Sequence, residues 1–178
     1  MGLLSPVLDA PAMASPQGNN GLLFVYGECG QNVTEEEFNE WYDKEHVPSR
    51  LALPDFLTAA RYRAADGRSP SWLATYDTTT TDVIHSDAYK ALAPHASANE
   101  KSIISRLAVL HRAVYRLVAT VENPNLGTTS LPAKVVLVMA GRDNDSSEQE
   151  EIERWYLEQH FPTISKVPGF IRVRRYKL

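Results

Sequence analysis

The sequence predicts an α+β protein in which a complete β-α-β-β-α-β unit is followed by a shortened copy of its own first half. Three observations lead there. The stretch from Glu36 to Pro48, with Pro54, Phe56, Arg61 and Tyr62 behind it, returns at an offset of 114 as Trp155, Tyr156, His160, Pro162, Pro168, Phe170, Arg175 and Tyr176. Apolar residues around these motifs recur at helical spacing in some stretches and in alternation in others. Glycine and proline clusters punctuate the changes of period. The offset runs without a gap from 21–63 to 135–177, and the 12 identities among those 43 pairs gather on one motif, which marks duplication rather than chance.

Taken in order, residues 1–20 lack a charged n-region and are broken by Pro6, Pro11 and Pro16, so they read as a flexible N-terminal arm and not a signal peptide. Leu22 to Tyr26 is a continuous apolar run, the mark of a strand covered on both faces. Thr34 and Glu37 form a capping box for a helix. Phe38, Trp41, Tyr42 and Glu45 share one face of it, His46 lies one turn after Tyr42, and Pro48 is expected to end it at Val47. Phe56 to Arg63 alternates as a strand, with Phe56, Thr58, Ala60 and Tyr62 on one side and Leu57, Ala59, Arg61 and Arg63 on the other. The turn cluster Ala65 to Pro70 joins it to a third strand, Ser71 to Asp77, in a hairpin. Thr78 to Thr81 leads into a second helix over about 82–92, interrupted at Pro94 and resumed near Asn99 to Arg106. Leu107 to Val121 is a long fourth strand with Val109, His111, Ala113, Tyr115 and Leu117 on one side.

This order is the split βαβ arrangement of the ferredoxin-like fold, in which two helices cover one face of a four-stranded antiparallel sheet and the other face needs cover from elsewhere. The expected domains are an arm (1–20), a complete unit (21–121), a linker (122–133) and a partial second repeat (134–178). The second copy opens on a strand from Lys134 to Ala140. It continues through a helix with Ser147 and Glu150 as its capping box, Ile152, Trp155, Tyr156 and Gln159 as its face and Pro162 as its stop. It reaches Leu178 without a third strand, second helix or fourth strand, so a longer chain, a partner chain, the arm or the linker must fill its centre.

Composition limits the function. With 178 residues, 43% hydrophobic and 22% charged, the chain has room for a real core. A net charge of −4 and a pI near 5.7 give no electrostatic footprint for nucleic acid. The longest apolar runs are strand-sized, too short to span a bilayer. The single Cys29 cannot close an internal disulfide, which fits a reducing, cytoplasmic setting.

On Trp41-Tyr42-x-x-x-His46-x-Pro48 with Pro54-x-Phe56 and Arg61-Tyr62, and on Trp155-Tyr156-x-x-x-His160-x-Pro162 with Pro168-Gly169-Phe170 and Arg175-Tyr176, the chain resembles the EthD-like proteins of the dimeric α/β-barrel superfamily. The resemblance covers about 21–118 in full and 134–178 in part. It implies two ferredoxin-like units back to back, their sheets closing into a barrel within a homodimer or between tandem repeats, and a chamber between sheet and helices. Relatives include cofactor-independent decarboxylases, polyketide cyclases, lactone isomerases and oxygenases, haem enzymes, and proteins without known chemistry, so fold alone does not choose a reaction. The abbreviated second repeat departs from the pattern.

His46 and His160 are acid/base candidates because imidazole exchanges protons near neutral pH, and Tyr42 and Tyr156 one turn earlier could share a substrate oxygen. The same histidines suit a plainer duty, capping the carbonyls of a helix end. Trp41, Trp155 and the two tyrosines suit a helix packing face or a chamber lining. Arg61 and Arg175 fit a substrate carboxylate, or an ion pair with Glu45 or another acid. His111, sharing a side with Tyr115, is a further acid/base candidate. The candidate catalytic set is thus His46, Tyr42 and His111, and the substrate-binding set Trp41, Arg61, Tyr62, Trp72, Tyr115, Tyr156 and His160.

His85 and His95 read as solvated. The histidines lack metal-ligand spacing and one cysteine cannot build a zinc site, so neither metal nor cofactor is expected. Cys29 reads as an incidental thiol, and Gly27-x-x-Gly30 lacks the spacing and ending of a phosphate loop. The favoured function is a cofactor-free lyase, cyclase or isomerase acting on a hydrophobic, oxygenated, polyketide-like molecule of secondary metabolism. The alternative is a non-catalytic ligand-binding or accessory barrel.

Overall fold

The computed structural model describes residues 20–125, 133–141 and 146–178. They fall into two compact units, one centred on 20–117 and the other on 118–175. The expectations for the arm, for most of the linker and for the Ser147 side chain lie outside the described residues. Among the described residues no helix is long and apolar enough to cross a membrane.

In the first unit the strands β1 (Gly21–Glu28), β2 (Ala60–Arg63), β3 (Trp72–Thr78) and β4 (Val109–Glu122) lie in the order β2-β3-β1-β4, all neighbours antiparallel. This is the ferredoxin-like order: the third strand sits between the first two. The apolar run of β1 takes the centre, where both edges are paired, Leu23 opposite Tyr76 and Val114, and Val25 opposite Ala74 and Arg112. Leu23, Val25, Ala74 and Tyr76 point into a core with Phe38, Trp41, Tyr42, Val83, Tyr89 and Ile103 from the helices.

The first helix departs from expectation at Pro48. α1 (Glu35–Trp41) is capped as predicted, with Thr34 Oγ1 accepting from the Glu37 N–H at 3.1 Å. It then widens into a π-turn, Tyr42–His46, where the Val47 N–H reaches back five residues to Tyr42 O, and continues as α2 (Val47–Leu51). The wide turn closes before the proline, which falls in the first turn of a fresh α segment where its missing N–H costs nothing.

Two other local readings change. The second strand shortens to β2, with Phe56 making only an isolated bridge to Thr78. Alternation therefore does not carry from Phe56 to Tyr62: Phe56 is in the helix-side core against Tyr76 and Tyr89, whereas Tyr62 faces the other way, opposite Leu73. The second helix is broken into a 3₁₀ turn (Val83–His85), α3 (Asp87–Lys90), α4 (Leu92–His95) and α5 (Ala98–Arg106), and α3 and α5 each start at a serine whose hydroxyl accepts a backbone N–H, Ser86 for Tyr89 and Ser97 for Glu100.

In the second unit α6 (Ser146–Trp155), a π-turn at Tyr156–His160, α7 (Phe161–Ile164) and β5 (Arg172–Lys177) follow, and the Asn123 N–H donates to Ile171 O at 2.8 Å. The π-turn stands at the same offset of 114 as the first, with the Phe161 N–H on Tyr156 O. The expected strand from Lys134 to Ala140 is not formed. Residues 133–141 are unpaired as a strand, and Val135 and Leu137 are each 83% exposed. An apolar run becomes a strand only against an edge, and among the described residues none is joined to this one.

Phe38 is 1% exposed and meets Trp41, Tyr42 and Trp72 at 5.0–5.8 Å. Phe38→Ala is expected to lower the unfolding free energy in a denaturant titration by about 3–5 kcal/mol.

Candidate functional site

The helix-side residues of the motif converge on a buried polar cluster. The π-turn presents His46, and α2 presents Arg50 one turn on, to Glu100 at the start of α5. His46 Nδ1 lies 3.1 Å and Arg50 Nη1 3.0 Å from Glu100 Oε1. Arg50 Nη1 also donates to His46 O at 3.2 Å and Ser49 Oγ at 2.8 Å. All three charged groups are buried. An ionised carboxylate only accepts, so His46 carries its proton on Nδ1 when neutral. Burial holds His46 below its ordinary pKa, against the opposing pull of Glu100, and nearby Arg50 pushes the same way as burial. Glu100 is held below its ordinary value chiefly by the His46 bond. Next to it Ser97 Oγ and Asn99 Nδ2 donate to Glu45 at 2.6 and 2.5 Å, and Arg106 pairs with Glu37, so α5 is tied antiparallel along α1 and its π-turn.

Tyr42 and Arg61 form the next layer. The Arg61 guanidinium lies 4.4 Å from the Tyr42 ring centre and 5.3 Å from those of Phe38 and Trp72. Its nitrogens donate to Asp43 Oδ1 and Asn39 Oδ1, each at 2.6 Å, and not to Glu45. Val25, Phe38, Tyr42, Arg61, Trp72 and Ala74 line about 160 Å³ of narrow gaps open to solvent, with Arg61 as one wall. Burial pushes the Tyr42 hydroxyl up to about 12, and that of Tyr76 beside it higher still. The Tyr76 hydroxyl and the indole N–H groups of Trp41 and Trp72 are buried without a hydrogen-bond partner. The Cys29 thiol is likewise pushed up by burial and by Glu28 and Glu35, the setting of an inert thiol.

His111 does not join this group. On β4 it stands opposite Tyr26 on the sheet face turned away from the helices, and so do Tyr115, opposite Leu22, and Tyr62, opposite Leu73. There the Tyr26 and His111 rings stack at 4.9 Å, and Phe24 meets Tyr26 and Tyr115 edge-on at 6.2 and 6.1 Å. His111 is exposed, whereas Phe24, Tyr26, Tyr62 and Tyr115 are half-buried. His85 and His95 are exposed, as expected.

In the second unit Tyr156 and His160 repeat the local contacts of their counterparts: Trp155 stacks on His160 at 4.5 Å, and Arg175 lies 4.9 Å over Tyr156 and 3.4 Å from Glu153. The candidate residues thus divide into a helix-side group (His46, Tyr42, Trp41, Arg61, Trp72), a far-face group (Tyr62, His111, Tyr115) and the pair in the second unit. Sequence reasoning passed over Glu100, Arg50, Asn39 and Asp43. Two signals were present: Ser97-x-x-Glu100 is a helix start, and Arg50 lies one turn beyond His46.

No protein-family model matches the chain, and no curated protein matches it. Among solved structures it is similar to a dimeric ferredoxin-like protein of unknown function from Thermobifida fusca, with 13% identity over 57% of this chain and 93% of that one and a TM-score of 0.40. It is also similar to an ethyl tert-butyl ether D (EthD) family protein from Bacillus halodurans, with 15% identity over 53% of this chain and 94% of that one and a TM-score of 0.37. Scores of this size establish neither assembly nor chemistry, and the strand order above stands on the chain's own pairing.

The buried histidine sets a pH dependence. Below 6.5, its ordinary value, unfolded His46 takes up a proton that the folded chain resists, so stability falls with pH there until the folded histidine itself protonates. Glu100 contributes in the same sense lower down: its stabilisation is complete above 4.5 and is lost as pH falls through its folded value. Urea unfolding from pH 7.5 to 5.0 should show a declining midpoint, and His46→Gln, less stable at pH 7.5, should abolish most of the decline. A midpoint equally pH-dependent in the variant would show that His46 is not its source.

Proposed function

We propose that this protein works through the aromatic sheet face turned away from its helices, as a binding module for a flat, apolar, oxygen-bearing small molecule. One observation carries the reading: Phe24, Tyr26, Tyr115 and His111 form a continuous ring layer in which His111 is exposed, whereas on the helix side His46 is bonded to Glu100 and Arg61 to Asn39 and Asp43. A general acid works best with a pKa near the operating pH, and Tyr42 at about 12 and a depressed, carboxylate-bound His46 both lie away from it. Rings in such a layer offer wide area at small entropic cost, with hydroxyls at the rim to orient a ligand's oxygens. A sheet face of this kind needs cover, and a second copy presenting the same face supplies it in a two-fold dimer.

Acid/base chemistry on the same face is a second reading, favoured by His111. It is exposed and stacked on Tyr26, where it would meet the oxygens of a bound polyketide-like ligand and pass protons without a cofactor.

Two measurements follow. Fluorescence titration with a hydroxylated anthraquinone should saturate, Phe24→Ser and Tyr26→Ser should each weaken binding roughly tenfold, and His46→Gln should leave it unchanged at pH 7.5. Affinity insensitive to both face substitutions would remove the face from the function. In a turnover screen over oxygenated aromatic substrates, His111→Ala should cost about a hundredfold or more for any substrate converted while the anthraquinone still binds. Unchanged turnover would leave binding as the only role.

A further inference from the structure

The helix of the second unit reproduces the inner contacts of its counterpart and, among the described residues, has no helix along the edge that the first helix keeps covered. In both, a tryptophan lies against the π-turn histidine, at 4.6 Å for Trp41 and His46 and 4.5 Å for Trp155 and His160, and a β-strand arginine lies over the tyrosine between them. The first helix has α5 along this edge. Glu100 takes His46, Ser97 and Asn99 hold Glu45, Arg106 reaches Glu37, and Ile103 is buried, leaving Trp41 1% exposed. The corresponding positions of the second helix are Glu151, Trp155, Gln159 and His160. Trp155 is 42% exposed, Glu151 and Gln159 are exposed, and among the described residues no carboxylate bonds His160.

We propose that this edge docks a helix of a partner protein, antiparallel to α6. That helix carries an acid in its first turn for His160, an aliphatic residue one turn on for Trp155, and a base near its C-terminal end for Glu151. The charges fix the direction, because the edge carries the Glu151 carboxylate midway along α6 and ends on His160. The exposed indole is the apolar anchor such an interface needs. The occupant is not α5 of a second copy, since in each copy Glu100 and Ile103 of that helix are spent against α1 and its π-turn. The site lies on the second unit.

The probe is the chain's own template: a synthetic peptide of residues 96–108, held helical by a staple joining positions 101 and 105, both exposed in the native helix. Titrated into the full chain, it should bind saturably and shift tryptophan emission to the blue. Glu100→Gln in the peptide, and Trp155→Ala or His160→Ala in the protein, should each weaken binding roughly tenfold. Trp155 is a surface side chain, so its removal leaves the fold in place, which circular dichroism checks. Absence of binding at millimolar peptide overturns the proposal. Binding that persists undiminished in both protein variants also overturns it, because the peptide would then be displacing native α5 from the first unit.

Discussion

Burying the Glu100 carboxylate between His46 and Arg50 is the constraint on which the first unit depends. Taking such groups out of water costs several kcal/mol per ion, and their mutual attraction offsets this only when the remaining donors and acceptors are met. Here they are: Arg50 also bonds the His46 carbonyl and the Ser49 hydroxyl, and the Glu100 N–H bonds Ser97. Little net stability follows from a cluster of this kind, but removing one member leaves the others unpaired, so it enforces one arrangement of α5 on the first helix. The π-turn belongs to the same device. Its added residue sets the phase of the helix, so that His46 and Arg50 meet Glu100 together while Trp41 and Tyr42 keep their places over the sheet.

That arrangement decides where chemistry can reside. A histidine and a tyrosine one turn apart look like a proton-transfer pair, but His46 is tied to Glu100 and the Tyr42 ring lies under the Arg61 guanidinium. Arg61 is itself fixed at two nitrogens by Asn39 and Asp43. The far face of the sheet differs in kind. Its rings touch one another, the helices of the first unit lie on the opposite face, and His111 is exposed there.

Much of the fold was legible because it depends on local pattern. The apolar run of β1, the Thr34 cap, the β2-β3 turn and the alternation that puts His111 beside Tyr115 each follow from a few neighbouring residues. The misreadings were long-range. Pro48 reads as a stop on the assumption of a regular helix, but a π-turn closes before it and a fresh α segment carries the proline in its first turn. Phe56 and Tyr62 share a parity, but the chain between them is not a strand, and parity has meaning only inside one. The run from Lys134 to Ala140 carries strand chemistry without a paired edge, and no window of sequence records whether an edge is present. Glu100 went unnoticed as a partner of His46 because the two are 54 residues apart.

The two copies of the motif separate what the sequence determines locally from what its surroundings add. Both form a π-turn at the same place, both set tryptophan against histidine, and both bring a strand arginine over the tyrosine, although Asn39 is replaced by Glu153 as one of that arginine's partners. These features need only the motif. Burial of the histidine is different: it comes with α5 and its glutamate, which the second helix lacks among the described residues. The recurrence of His46 as His160 therefore goes with the helix it belongs to, since the tryptophan contact recurs in both copies. What distinguishes the copies is the carboxylate that meets the imidazole, and that group is supplied from outside the motif.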